Sequence, residues 1–133
     1  MSSAPNTPTL VATGNISPGC AVKVATSADL SGTQASAVTD ILCGFADLST
    51  NADGTYNAVA GESIKLQQGP IYYVAAGAAI TRGALLEIDS TGRVITQTTA
   101  TGMTTNAYQA LQSAVAAGEY IYVIAVPNYF KRS

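Results

Sequence analysis

The chain has 133 residues and a formal net charge of −2, and only 11% of its residues are Asp, Glu, Lys or Arg. A typical soluble protein has about 25% of these residues, so uncharged side chains must cover most of the folded surface. The length predicts one domain, and a hydrophobic content of 47% is too high for a disordered chain. We therefore expect a folded domain whose surface is poor in charge.

The composition also excludes several classes of function. The sequence has no histidine, the commonest general base and a frequent zinc ligand, and its negative net charge differs from that of a nucleic-acid binder. No G-x-S-x-G, S-x-x-K, H-E-x-x-H or Walker pattern occurs. We expect no catalytic residues, no metal, no cofactor and no nucleic-acid partner, and we expect that the protein is not an enzyme.

Residues 1–13 contain two prolines among Ser, Thr and Asn without periodicity, and they predict an extended N-terminal arm. This segment lacks the basic and apolar regions of a signal peptide. Without export, Cys20 and Cys43 are expected to be reduced thiols packed in the interior. A Cys20–Cys43 disulfide is the alternative, because the sequence does not show whether the two residues lie close together.

Two uncharged stretches are candidates for membrane spans. Val94–Gly118 is long enough but rich in Thr, Gln, Asn and Ser, and the apolar run Ile71–Ile80 has only ten residues. We therefore expect no membrane partner.

An internal repeat organises the chain. The pattern I-[ST]-x-G-[small]-x-[VL]-[KE]-[VI] occurs at Ile16–Val24 and again, 64 residues later, at Ile80–Ile88. The pattern A-G-E-x-I-x-[LV] occurs at Ala60–Leu66 and again, 57 residues later, at Ala117–Val123. In each block a turn glycine precedes apolar residues two apart, which is the period of a half-buried strand.

The repeat predicts a single β domain at residues 14–133, with two similar halves at about 16–69 and 80–126. Glu62 and Glu119 follow the glycines of the second block, and we expect their carboxylates to be solvated or to cap backbone N–H groups rather than to form a catalytic pair.

Further strands are predicted by apolar alternation and by turn residues. Ile71–Ala75 is rich in residues that favour strands and follows the turn dipeptide Gly-Pro. Leu85–Asp89 and Arg93–Thr96 flank a short glycine-containing loop and predict a hairpin. Ile41–Leu48 predicts a buried strand, and Tyr120–Val126 is apolar on both faces, which favours a central strand or one under a partner.

One segment, Asn106–Ala117, predicts a helix, because Leu111 and Val115 lie four apart and Gly118 provides a C-terminal stop. The expected fold is therefore mainly β: a compact β-barrel or sandwich-like domain built from two similar halves, with one short helix and an extended N-terminal arm.

Ser49–Asn57 has oxygen-bearing side chains two apart and a glycine at its sixth position, as in the first half of a calcium-binding loop. The twelfth position, however, is Ala60, where a glutamate is needed, and no helix precedes the segment. We interpret it as a turn.

Six of the nine aromatic residues occur in close pairs. Tyrosine is frequent in protein interfaces because its ring is apolar and its hydroxyl forms hydrogen bonds. The alternative interpretation is ordinary cross-strand packing. The pairs are Tyr72/Tyr73, Tyr120/Tyr122 and Tyr129/Phe130.

Glycine and strand signals follow one another in a fixed order at Ile16–Val22, Cys43–Ala46, Ala60–Leu66, Ala75–Gly83, Asp89–Val94 and Gly118–Val123. Over about residues 14–126, this order resembles the capsid decoration, or head cement, proteins of tailed bacteriophages.

The resemblance implies a homotrimer on the outer surface of the icosahedral head, in virions assembled in the host cytoplasm. Such proteins clamp neighbouring major capsid proteins and stabilise the shell. The resemblance carries no catalytic residues. The candidate contacts with the capsid or with a neighbouring subunit lie in the arm and the aromatic pairs: Pro5, Pro8, Leu10, Tyr72, Tyr73, Tyr120, Tyr122, Tyr129 and Phe130.

Two alternative functions remain open, a structural subunit of a phage tail or baseplate and an exported β-domain adhesin that binds carbohydrate through its tyrosines. An adhesin would bind sugar as an isolated domain, whereas a cement protein would bind expanded capsids.

Overall fold

Eleven short β-strands make up the regular structure of the described residues. The structure is a computed structural model that describes residues 9–37, 40, 42–52, 54–97, 102–103, 108–126 and 130–131. The strands are β1 Val11–Ala12, β2 Ala21–Val24, β3 Ser31–Gln34, β4 Leu42–Phe45, β5 Ile71–Ala75, β6 Leu85–Ile88, β7 Val94–Thr96, β8 Gly102–Met103, β9 Tyr108–Ala110, β10 Tyr120–Ala125 and β11 Phe130–Lys131. The prediction of a mainly β domain is confirmed.

The strands form two main sheets, in the orders β1-β3-β2-β4 and β5-β10-β9-β6-β7. Ala76 pairs with Val94, which connects the end of β5 to β7. Segment 63–66 pairs with Val11 of β1 and with Ala46 after β4. Each sheet therefore closes into a ring of strands, called here the first ring and the second ring, and closure removes exposed strand edges.

β8 and β11 form a two-stranded antiparallel ribbon that keeps the register of β9 and β10. Ala125 lies opposite Tyr108, and Phe130, five residues after Ala125, lies opposite Met103, five residues before Tyr108. The β8/β11 pair thus has the same register as the β9/β10 pair.

The two rings also share their pairing register. Ala21 of β2 lies opposite Phe45 of β4, and Leu85 of β6 lies opposite Gln109 of β9, with 64 residues between equivalent positions. The first block of the sequence repeat therefore forms strand pairs of the same register in both rings.

Turn glycines occupy equivalent places before β2 and β6. Gly19 and Gly83 have φ angles of 74° and 91°. Their N–H groups donate to the carbonyl oxygens of Ala46 and Ala110, at 3.1 and 2.8 Å. The first sequence block therefore forms the same turn in both rings.

The glutamates of the second sequence block cap backbone N–H groups, as predicted. Glu62 Oε1 accepts a hydrogen bond from Val59 N at 3.0 Å. Glu119 Oε1 accepts a hydrogen bond from Val115 N at 3.1 Å. The Val59 N–H, followed by the Asn51 amide, lowers the pKa of Glu62.

The core has two parts that meet between the rings. The smaller part fills the first ring and consists of Ala12, Ile16, Val22, Ala46, Ala58 and Ile64. The larger part fills the second ring but includes Phe45 of the first ring, which is fully buried. The ring centroid of Phe45 lies 5.2 Å from the ring centroid of Tyr72 and 5.1 Å from that of Tyr108. This shared packing makes the two rings one folded unit.

The helix predicted at Asn106–Ala117 is wrong over its described residues, 108–117. Tyr108–Ala110 form β9, which pairs with β6 and β10. Ala114 then forms a β-bridge with Ile80, flanked by bends and a turn. The two residues that suggested a helical face, Leu111 and Val115, are 40% and 81% exposed. Because no core lies under them, their spacing stabilises no helix, and pairing with two strands determines the conformation instead.

Part of the predicted arm lies in the first ring. Val11–Ala12 form β1, which pairs in parallel with β3. Leu10 is half-buried and packs on the smaller core. Residues 1–8 lie outside the described residues, so the extent of the arm stays a prediction.

Cys20 and Cys43 are both free thiols. Cys20 is buried as predicted, but the expectation of an interior Cys43 is wrong, since its side chain is exposed. Val22 pairs with Gly44 while Lys23 pairs with Leu42, so Cys43 is an extra residue in β4. Such a β-bulge disrupts the alternation that would have turned the side chain inward.

Candidate interaction surface

Three tyrosines lie together on the outer face of β5 and β10. The two strands are antiparallel, with Tyr73 opposite Tyr122 and Ala75 opposite Tyr120. Successive side chains of a strand point to opposite faces. Tyr120 and Tyr122 are therefore exposed, whereas Ile121 between them is buried. We call Tyr73, Tyr120 and Tyr122 the tyrosine cluster.

The rings of the tyrosine cluster contact one another. The Tyr73 ring centroid lies 4.6 Å from that of Tyr122, with 39° between the planes, and 5.7 Å from that of Tyr120, with 30° between the planes. Aromatic pairs of this kind contribute about 0.5–1.5 kcal/mol beyond burial. Because Tyr120 and Tyr122 remain 39% and 46% exposed, the cluster presents ordered aromatic surface to solvent.

The first ring supports the cluster from one side. A Cβ atom at Gly19 would lie 2.5 Å from Cε2 of Tyr120, so only glycine allows this approach. The Tyr120 hydroxyl donates to the carbonyl oxygen of Pro18 at 3.4 Å, and Ala75 N donates to the carbonyl oxygen of Gly19 at 2.9 Å. These contacts position Tyr120 against a turn from the other half of the chain.

The two strands that carry the cluster are rich in apolar residues. Neither β5 nor β10 contains a charged residue. Ile71 is 48% exposed, and it pairs with the half-buried Ile124. We call Ile71, Tyr73, Tyr120, Tyr122 and Ile124 the β5/β10 face. A contiguous exposed apolar patch of this kind is typical of a binding surface.

Tyr72, the sequence neighbour of Tyr73, packs on the opposite side of β5. Its ring lies 5.2 Å from Phe45 and 6.1 Å from Tyr108, the latter in an edge-to-face arrangement. Burial, together with the nearby Tyr72, raises the pKa of Tyr108 to about 12. This inner aromatic group joins the two rings and is separate from the tyrosine cluster.

The remaining candidate contact residues do not join the tyrosine cluster in the described structure. Leu10 belongs to the first ring, where its carbonyl oxygen accepts a hydrogen bond from Ile64 N at 2.8 Å. Phe130 lies in β11, opposite Met103. The three others lie outside the described residues: Pro5, Pro8 and Tyr129.

A cleft of about 320 Å³ lies between the rings. Its lining includes Ser17, Cys20 and Gln34 from the first ring and Thr91, Arg93 and Tyr120 from the second. This cleft was not predictable from the sequence, because its walls are far apart along the chain. The one local signal is the turn that carries an acidic and a basic residue between β6 and β7.

That turn holds Arg93 at the cleft. Asp89 Oδ1 accepts hydrogen bonds from Thr91 N at 2.8 Å, Thr91 Oγ1 at 2.7 Å and Arg93 N at 3.0 Å. Arg93 Nε donates to Thr91 Oγ1 at 3.1 Å. Both the backbone and the side chain of Arg93 are therefore fixed by the turn.

Cys20 lines the same cleft but is a poor nucleophile. Burial raises the pKa of its thiol to about 11, although Arg93 acts in the opposite direction. The thiol is thus protonated at neutral pH, whereas cysteine chemistry requires the thiolate.

No group of three or more His, Cys, Asp or Glu side chains with the geometry of a metal site occurs in the described part of the chain. Within the same ranges, no helix has the length and apolarity needed to cross a membrane.

A solved structure with the same fold is that of the head fiber gp8.5 N base in bacteriophage phi29. The TM-score is 0.68 at 15% sequence identity, and the match covers 94% of this chain and 95% of that one. No protein-family model matches the sequence, and the curated proteins contain no match. The likeness shows a shared fold over almost the whole chain.

Proposed function

We propose that the protein is a structural component of the head of a tailed bacteriophage. The observation that carries this proposal is the fold shared with the phi29 head fiber base over 94% of the chain. The order of glycine and strand signals, which resembles that of head cement proteins, supports the same location in the virion.

Within the head, the role proposed is that of a decoration protein on the outer surface of the capsid. The β5/β10 face supports a protein partner, because interface centres are enriched in tyrosine and depleted in charged residues. The partners proposed are the major capsid protein and, in a homotrimer, the neighbouring copies of this chain.

Such a protein would stabilise the shell by linkage. A ligand that binds only the expanded, closed shell stabilises that state by its binding free energy. Many copies on a symmetric lattice add their contributions, so that each contact needs only a modest affinity. The work of the molecule is then to present a rigid surface, and it requires no catalytic group.

Co-sedimentation with expanded capsids assembled without this protein tests the proposal. We expect the wild type to sediment with the capsids, and we expect Tyr122→Ser to weaken binding by about tenfold or more, because a central interface tyrosine typically contributes over 1.4 kcal/mol. Val115→Ser is the matched control, since Val115 is 81% exposed and lies outside the β5/β10 face.

Capsids that neither bind the protein nor gain resistance to heat would contradict the decoration role. Binding to tails or baseplates instead would support the alternative of a tail subunit. Equal losses for Tyr122→Ser and Val115→Ser would show that the β5/β10 face is not the contact surface.

A further inference from the structure

The cleft between the rings has a chemistry that the decoration role does not use. We propose that it binds a small carboxylic acid of monosaccharide size, such as a uronic acid, and that Arg93 holds the carboxylate. The proposal does not depend on a location in a phage head, because Arg93, which would hold the carboxylate, lies outside the β5/β10 face.

Arg93 offers unused hydrogen-bond donors. A guanidinium group has five N–H donors and no acceptor. Among the described residues, its only hydrogen-bond acceptor is Thr91 Oγ1, which binds Nε, and no carboxylate forms an ion pair with it. The two terminal nitrogens of Arg93 can therefore bind both oxygens of one carboxylate, the arrangement that best matches the planar guanidinium.

The guanidinium is positioned before any ligand binds. Asp89 and Thr91 fix the turn and the Nε atom, as described above. Gly92 packs this turn closely against the first ring. A Cβ atom at Gly92 would lie 2.9 Å from Cγ of Gln34 and 3.0 Å from the carbonyl oxygen of Ala35. Preorganisation of this kind lowers the entropy lost on binding.

The size of the cleft and the residues that line it fit a ligand with a sugar ring attached to the carboxylate. A volume of about 320 Å³ lies at the lower end of the range for small-molecule sites. The side chain of an aspartate or glutamate from another protein would fill only a small part of it. Tyr120 supplies an aromatic wall for the C–H groups of a sugar ring, and the Ser17 hydroxyl is available for a sugar hydroxyl.

Titrations of the ¹⁵N-labelled protein with sodium glucuronate, glucose and sodium acetate test the proposal. We expect glucuronate to shift the amide signals of Gly19, Gly92 and Gly118 and the Arg93 Nε–H signal. Glucose should bind at least tenfold more weakly because it lacks the carboxylate, and acetate should also bind more weakly because it lacks the ring. Affinity for glucuronate should fall as salt rises, since the contact is between charges.

Arg93→Gln should weaken glucuronate binding by about 10- to 100-fold, the usual effect of losing hydrogen bonds to a charged group. Arg82→Gln, which removes an exposed arginine of the same ring outside the cleft, should leave binding within about twofold. Arg93→Lys keeps the charge but loses the planar donor pair, so binding should be intermediate. This variant also serves as the test if Arg93→Gln does not fold.

Three results would overturn the proposal. Glucose could give the same shifts and affinity as glucuronate, or Arg93→Gln and Arg93→Lys could bind glucuronate as the wild type does. The third result is that the wild type is an oligomer that binds no glucuronate, and that the Arg93→Gln variant is dissociated. This result would show that an acidic group of another copy occupies the cleft. Capsid binding is measured separately, so failure here leaves the decoration role standing.

Discussion

Asn57 shows how one side chain organises a loop of the first ring. It is fully buried, and its Nδ2 atom lies 3.0–3.3 Å from four oxygens, which are the carbonyl oxygens of Asp47, Ser49 and Lys65 and Oδ1 of Asp47. Its Oδ1 accepts from Lys65 N at 3.0 Å. The segment Ser49–Asn57, interpreted from the sequence as a turn, thus closes around an amide nitrogen that donates to converging oxygens.

Asn57→Asp should therefore destabilise the fold strongly. The substitution replaces a donor with a charged acceptor among oxygens, and a buried unpaired charge costs about 3–5 kcal/mol. Asn15→Asp, on an exposed residue, should change the free energy of unfolding by about 0.5 kcal/mol or less. Urea unfolding of both variants measures the difference.

The pH dependence of Asn57→Asp has a definite sign. Burial and nearby oxygens raise the pKa of the introduced carboxyl in the folded state, so the folded chain binds more protons than the unfolded chain. Stability must then decrease as pH rises through that pKa, and the variant should be more stable at pH 5 than at pH 8 relative to wild type. The opposite slope would show that the loop rearranges to satisfy the carboxylate.

At the scale of elements, the β6–β7 turn is the clearest link between the rings. The carbonyl oxygen of Gly92 accepts from Ala21 N at 2.8 Å, and the carbonyl oxygen of Thr91 accepts from Gln34 Nε2 at 2.7 Å. The turn is thus both the end of a hairpin and a contact on the first ring.

Gly92→Ala should separate the cost of a clash from the cost of an unfavourable φ. Gly92 and Gly54 have similar φ angles, 81° and 77°, but no atom lies within 4 Å of a Cβ at Gly54. Gly54→Ala should therefore cost about 1–2 kcal/mol, the strain of a left-handed conformation. Gly92→Ala should cost about 2–4 kcal/mol, because crowding against Ala35 is added. Equal changes in urea unfolding free energy would mean that the turn is not packed tightly on the first ring.

The elements were predictable where local pattern and tertiary pairing agree. Ile71–Ala75 has the bounds predicted for it, since strand-forming residues follow a turn dipeptide and all five of them pair with β10. Asn106–Ala117 was not predictable, because its helical spacing depended on Leu111 and Val115, and neither is buried. The bulge at Cys43 depends on the partner strand, which a local pattern does not contain.

For the whole molecule, the shared core implies that the rings unfold together. Phe45 comes from the first ring but packs with Tyr72 and Tyr108 in the core of the second. Each ring thus lacks part of its buried surface when the other is absent. We expect a single cooperative transition, with equal calorimetric and van't Hoff enthalpies.

Phe45→Ala should lower the free energy of unfolding by about 3–5 kcal/mol, the usual effect of emptying a buried phenylalanine site. Hydrogen exchange should become faster in both rings. Leu48→Ala, at a side chain that is 45% exposed, should cost about 0.5 kcal/mol or less. Faster exchange in the first ring alone would show that the rings unfold separately.

The candidate surfaces differ in how far the sequence could predict them. The sequence predicted Tyr120–Val126 as a strand that is apolar on both faces, and it named Tyr120 and Tyr122 as candidate contacts. Pairing with Tyr73, which completes the cluster, appears only in the folded chain. The cleft at Arg93 required knowledge of how the rings meet, because Ser17 and Tyr120 approach only in the folded chain. No pattern within one segment carries that information.

Phe45 and Gln109 occupy equivalent positions in the two rings but make different contacts. Phe45 inserts into the core of the second ring, where it is fully buried. Gln109 is half-buried, and its amide donates to the carbonyl oxygen of Gly83 in its own ring. The two rings are thus alike in register but different in surface, because the position that is apolar in the first ring is polar in the second.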